Sequence, residues 1–129
     1  MDATQALADL TEISSQVEAA VLFDETGTVA GATLPDDRAG SLATLAAELL
    51  ARASQLGEDG AEISQVEAST PEGSLFVVRD GARRIAATTG PDPTIGLVFY
   101  DLKSCLHGVA DTDVPKRRRA KKGADANEA

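Results

Sequence analysis

Residues 35–56 read PDDRAGSLATLAAELLARASQL, and the way this stretch distributes its apolar side chains decides what is built around it. Pro35, Asp36 and Asp37 open a helix, with Asp as cap and first-turn acid. The helix is expected to run to Leu56, where Gly57 is a natural stop. Successive residues stand about 100° apart around a helix axis. On that wheel Leu42, Leu45, Ala46, Leu49, Ala53 and Leu56 form one apolar stripe, and Ala39, Ala43, Ala47, Leu50 and Ser54 form a second beside it. Asp37, Ser41, Thr44, Glu48, Arg52 and Gln55 are confined to a narrow strip. A helix resting on a sheet needs a single apolar face, about 100° wide or somewhat more; here apolar and small residues cover well over half the circumference. The first stripe has the large side chains and is expected to lie on a sheet. The second, mostly small, lets another helix approach closely, and a two-fold dimer is the commonest way to supply one. The plainer alternative is alanine used as a helix former on an ordinary surface.

Both flanks of this helix read as β-structure. On the N-terminal side, Ala19 to Phe23 and Thr28 to Leu34 are β-rich runs around Asp24-Glu25-Thr26-Gly27, the pattern of a hairpin. The first run is almost continuously apolar, as expected of a strand covered on both faces. Before it, residues 3–16 place Leu7, Leu10, Ile13 and Val17 at helical spacing, with Thr4 or Asp2 as cap. On the C-terminal side, Ile63–Thr70, Ser74–Arg79 and Arg84–Thr89 are three strands separated by Pro71-Glu72-Gly73 and Asp80-Gly81. Gly90-Pro91-Asp92-Pro93-Thr94 then starts a last helix. Its residues Ile95, Val98, Phe99, Leu102, Cys105 and Leu106 share one face, and Gly108 is expected to end it.

The order α-β-β-α-β-β-β-α, with tight turns between neighbouring strands, implies an α+β domain: a five-stranded antiparallel sheet with helices on its faces. The domain is expected over 3–110. Residues 111–129, poor in apolar side chains, are expected to form a disordered tail. If the strand ending at Thr70 lies at a sheet edge, Gln65, Glu67 and Ser69 belong to a backbone edge free to pair with a second subunit, and the acid at Glu67 is equally read as a guard against such pairing. The candidate dimer surface is therefore Ala39, Ala43, Ala47, Leu50, Ser54, Gln65, Glu67 and Ser69.

Charge narrows the partners. The formal net charge is −9, yet residues 115–129 carry Lys116, Arg117, Arg118, Arg119, Lys121 and Lys122 against two acids, so the body is far more acidic than the whole. Such a body repels phosphate backbones and anionic membrane; nucleic acid or membrane is met through the basic tail if at all. The tail alternatively stays solvated. With three Phe, one Tyr and no Trp, the chain offers few stacking platforms for single-stranded nucleic acid or sugars.

Reactive constellations are sparse. A single cysteine, Cys105, excludes an internal disulfide and a multi-cysteine metal site. His107, the only histidine, lies two positions from Cys105 and so off its helix face; Cys105 reads as a core residue and His107 as polar. No phosphate-binding G-x-x-x-x-G-K-[ST] loop occurs, and the D-x-x-G match at Asp24–Gly27 reads as a turn. Asp36-Asp37 and Glu58-Asp59 read as capping and loop solvation, and Arg83-Arg84 as solvated or as contacts for an acidic partner. A non-catalytic protein without cofactor or metal is expected. The lack of a signal peptide or apolar membrane-length run makes a cytoplasmic location the expectation.

Three segments together carry a family resemblance. The run Ala20-Val21-Leu22-Phe23-Asp24-Glu25-Thr26-Gly27 resembles the first hairpin of Roadblock/LC7 domains, as does the apolar helix through Leu49 and Leu50. The segment Pro93-Thr94-Ile95-Gly96-Leu97-Val98-Phe99-Tyr100-Asp101-Leu102 resembles that family's last helix. The resemblance spans roughly residues 4–110 and is nearest to the bacterial MglB-type branch. It implies a five-stranded sheet with one helix on one face and two on the other. It also implies dimers joined by their second helices and third strands, and binding to a Ras-like small GTPase, in some members with stimulated GTP hydrolysis. Other members assemble with further Roadblock-type subunits as scaffolds. The alternatives are a small-ligand sensory domain and a scaffold tethered by its basic tail.

Overall fold

The computed structural model describes residues 2–56 and 64–113. The elements are α1 (Ala3–Ile13), β1 (Val17–Asp24), β2 (Val29–Ala32), α2 (Asp36–Ser54), β3 (Gln65–Thr70), β4 (Gly73–Asp80), β5 (Arg83–Thr89) and α3 (Ile95–Asp113). The strands form one antiparallel sheet in the order β2-β1-β5-β4-β3. The expected order of elements and the α+β class are therefore observed, with α2 on one face and α1 and α3 on the other.

The period-two geometry of the strands divides the core. Ala20 and Leu22 of β1, Phe76 and Val78 of β4, and Ile85 and Ala87 of β5 face α1 and α3. There they meet Leu7, Leu10, Val98, Leu102 and Leu106. Phe76 and Phe99 pack edge to face, ring centroids 5.0 Å apart, a preferred aromatic geometry. The intervening residues Val21, Phe23, Val77 and Ala86 face α2. β1 is thus buried on both sides except at Glu18 and its last residue, as its continuous apolar character predicts.

Element boundaries differ from the sequence expectation where local chemistry intervenes. α1 stops at Ile13, because Ser14 is extended and its N–H still donates to Leu10 O. Val17 therefore belongs to β1, and its helical spacing from Ile13 is coincidental. Of the two cap candidates it is Asp2 that caps, its Oδ1 accepting from the Gln5 N–H at 2.8 Å. α2 is preceded by Pro35 and has no side-chain cap; Asp36 and Asp37 lie within its first turn and act only on its dipole. α2 ends at Ser54. β2 is confined to Val29–Ala32, since Thr33 Oγ1 accepts the Ala20 N–H at 2.9 Å and substitutes a side chain for the ladder. Gly108 does not end α3: Val109 beyond it is buried in the core, and the helix continues to Asp113, into the stretch expected to be tail. Gly57, Ile63, the Glu58-Asp59 pair and the basic cluster Lys116–Lys122 lie outside the described residues.

Candidate self-association surface

α2 begins beside the β2 edge and packs across all five strands. Its sheet-facing side chains are Ala39, Leu42, Ala43, Ala46 and Leu50. The inward face therefore straddles the two stripes: Leu42 and Ala46 of the first lie on the sheet as expected, joined by three residues of the second. Ala39, Ala43 and Leu50, expected to meet a partner helix, are buried at 1%, 1% and 4% exposure within this single chain. Leu45 and Leu56, expected on the sheet, are 54% and 85% exposed, and Leu49 is half-buried. The reason is the direction in which the helix meets the sheet. Its inward face falls between the two stripes, taking Leu42 and Ala46 from the first and Ala39, Ala43 and Leu50 from the second, against Val21, Phe23 and Val77. Leu45 and Leu56, at the far side of the first stripe, are left outside. Ala47 and Ser54 are half-buried on its flank, and Ser54 Oγ donates to Leu50 O at 2.9 Å.

Beneath Leu45 and Leu49 the surface is concave. A groove of about 400 Å³ runs between α2 and the strands, lined by these two leucines with Ala68, Thr70, Leu75 and Thr88. It opens next to β3, which among the described residues pairs with β4 alone and is a sheet edge. On β3, Val66 packs toward α2. The candidates Gln65, Glu67 and Ser69 alternate with it and occupy the opposite face. Gln65 and Glu67 are half-buried and Ser69 is exposed, with Ser69 Oγ donating to the Glu67 carboxylate. The structure therefore brings together Leu45, Leu49 and the β3 backbone edge, and it places Ala39, Ala43 and Leu50 beneath that surface. The exposure of Leu45 was missed in the sequence because a helix wheel gives the angles between residues and not which direction is inward.

The remaining candidates are scattered. Asp24 organises the β1–β2 turn. Its Oδ1 accepts from the Thr26 N–H at 2.9 Å, the Thr28 N–H at 3.0 Å and the Thr26 hydroxyl at 2.6 Å. Gly27 completes the turn at φ +88°, a conformation natural to glycine. The Thr26 hydroxyl and the Thr28 backbone bond hold the Asp24 carboxyl below the usual carboxylate range. The D-x-x-G pattern is thus accounted for by turn geometry. Cys105 is buried, its Sγ donating to Ala6 O at 3.5 Å; burial first, then the Asp9 charge, push its thiol up to about 11. His107 points elsewhere, 3.3 Å from the Asp80 carboxylate at the β4–β5 turn. Arg83 and Arg84 are half-buried, and Arg84 donates to Gly81 O at 3.0 Å. Among the described residues no three of His, Cys, Asp and Glu gather in a metal-binding arrangement, and no helix is long and apolar enough to cross a membrane.

Comparison with known proteins places this geometry. The crystal structure of a Roadblock/LC7 domain from Streptomyces avermitilis is similar, with a TM-score of 0.79 at 22% identity, covering 87% of this chain and 98% of that one. The gliding protein MglB from Thermus thermophilus gives 0.69 at 18% identity, covering 84% and 86%. An MglB with tetrameric arrangement gives 0.68 at 20% identity, covering 83% and 86%. These identities speak for the fold alone. Among curated proteins no sequence matches this chain. The family model for the Roadblock/LC7 domain, however, matches residues 4–88, from α1 through all but the last residue of β5, and the chain belongs to the Roadblock/LC7 domain family.

Proposed function

We propose that this chain is a non-catalytic, self-associating regulator or adaptor whose partner is a Ras-like small GTPase. The observation that carries the self-association is the adjoining of exposed Leu45 and half-buried Leu49 to β3, the edge strand of the sheet among the described residues. Large apolar side chains rarely cluster on the surface of a protein that stays alone. An edge strand supplies a row of free N–H and C=O groups that a second copy can pair. Two copies related by a two-fold axis would join β3 to β3 and cover the leucines of one α2 with those of the other. One solved relative is described as an MglB with tetrameric arrangement, which favours self-association. Family membership and the sequence resemblance to the MglB-type branch support the GTPase partner.

The test has two parts. Light scattering at tens of micromolar should give twice the chain mass for the native protein, and a strict monomer would sink the self-association. Purified protein should then retain a Ras-like GTPase in its GTP-loaded form on an affinity column. Failure with every GTPase encoded beside it would remove the partner. Measuring hydrolysis in the same mixture decides whether binding also accelerates turnover.

A further inference from the structure

On the opposite face of the sheet, α1 and α3 run antiparallel. The Thr94 N–H at the start of α3 donates to Gln16 Oε1 beyond the end of α1, at 2.6 Å, and Cys105 further along α3 reaches Ala6. Buried Leu10 and Cys105 seal the bottom of their seam. Above them it opens as a groove of about 360 Å³. Its walls end in Ile13 and Tyr100, 73% and 67% exposed, and half-exposed Leu97 stands one turn before Tyr100. Asp9 and Asp101 line the two sides, exposed Glu12 adjoins Ile13, and among the described residues no basic side chain lines the groove.

We propose that this groove docks a short amphipathic helix from a partner protein, with large apolar side chains on one face flanked by Lys or Arg. The apolar floor and the exposed isoleucine and tyrosine supply the kind of anchors that dominate interfaces. The carboxylates on both walls select cations and repel acidic segments. From Ala6 to Ile13 the seam runs along α1 for roughly 10 Å at 1.5 Å rise per residue, which matches about two turns of a docked helix.

Charge and composition disfavour the other occupants. A second copy meeting this face symmetrically would set Asp9, Glu12 and Asp101 against their own equivalents, where like charges oppose association. The chain's own basic run, Lys116 to Lys122, has the charge but no large apolar side chain to enter the groove. The site lies across the sheet from Leu45 and Leu49, so both surfaces can be engaged at once.

The probe is a synthetic, fluorescein-labelled 14-residue helical peptide with leucines along one face and lysines beside them, compared with a twin carrying glutamates in place of the lysines. Anisotropy titrations on the full chain should show the lysine peptide binding about tenfold tighter or more, a difference of about 1.4 kcal/mol. Ile13→Ser with Tyr100→Ser should weaken that binding about tenfold. Asp9→Lys with Asp101→Lys should reverse the charge preference. These side chains are not in the deep core, and circular dichroism with thermal unfolding checks that each variant folds. Equal binding of the two peptides, or binding indifferent to both double variants, overturns the proposal. Binding seen only after the basic run is neutralised assigns the groove to the chain's own tail and also overturns it. A fall in mass of the Ile13→Ser, Tyr100→Ser variant by light scattering assigns the groove to a second copy instead.

Discussion

Gly73 stands against the Thr89 carbonyl: a Cβ built on it would lie 2.0 Å from that oxygen. The obstacle is backbone of a central strand, which cannot rotate away. Gly73→Ala is therefore expected to destabilise the domain by about 1–3 kcal/mol or more, the range for forced overpacking. Gly40, inside α2, has nothing within 4 Å of the place a Cβ would take. Gly40→Ala should stabilise by roughly 0.5–1 kcal/mol through helix propensity alone. Urea unfolding midpoints of the two variants should move in opposite directions.

The inward face of α2 gives opposite outcomes for neighbouring positions. On the proposed self-association, Leu45→Glu with Leu49→Glu should keep the fold and leave monomers, read by light scattering together with an unchanged circular dichroism spectrum. Ala43→Leu should instead strain the packing against the sheet and cost about 1–3 kcal/mol, because Ala43 is buried beneath the helix. A stable, folded Ala43→Leu monomer would place the interface where the helix wheel first put it.

Asp24 should make stability depend on acid pH. Its carboxyl is held below the ordinary value of 3.8 by Thr26 and Thr28. A depressed carboxylate contributes stability that is present above its unfolded value and lost as pH falls through the lower folded one. Asp24→Asn should consequently be less stable than the native chain at pH 7, with the gap closing as pH drops below the ordinary value. Parallel urea titrations at several pH values measure it.

Cys105 titrates in the other direction. With its thiol pushed up to about 11 from an ordinary 9.0, its contribution is fully present below the unfolded value and lost as pH rises through the folded one. Stability should decline between about pH 9 and 11, and Cys105→Ala should remove that component. Alkylation by iodoacetamide at pH 8 should run about a hundredfold slower than for a small free thiol, following the thiolate fraction.

Most of the architecture was legible from residue order. β1 announced its double burial through Val21-Leu22-Phe23, and the Asp80-Gly81 turn fixed β4 against β5. Boundaries were legible only where a side chain announced them. Ser14 stops α1 by its backbone angles, which nothing at Ile13 or Val17 reveals, and Gly108 is overridden by the burial of Val109. The candidate surface was half legible. The excess of apolar circumference on α2 is real, but the inward direction falls between the stripes, taking Ala39, Ala43 and Leu50 from one and Leu42 and Ala46 from the other. That direction is set by tertiary packing. The α1–α3 groove escaped notice because Ile13 and Tyr100 come from distant parts of the chain and look ordinary in their own helices.

The pairing of β1 with β5 joins residues as far apart as Val17 and Thr89. The β1–β2 hairpin and the β3–β4–β5 meander are each made of local contacts, and they meet only at this central seam. Closing so long a loop is entropically slow relative to hairpin formation. During synthesis the first half emerges with one side of its most apolar strand uncovered until β5 arrives, an interval in which an unpaired apolar edge invites association with other nascent chains. Protection in this domain is therefore a matter of timing as well as of energy, and the residues that set it are those of β5, the last of the described strands to be made.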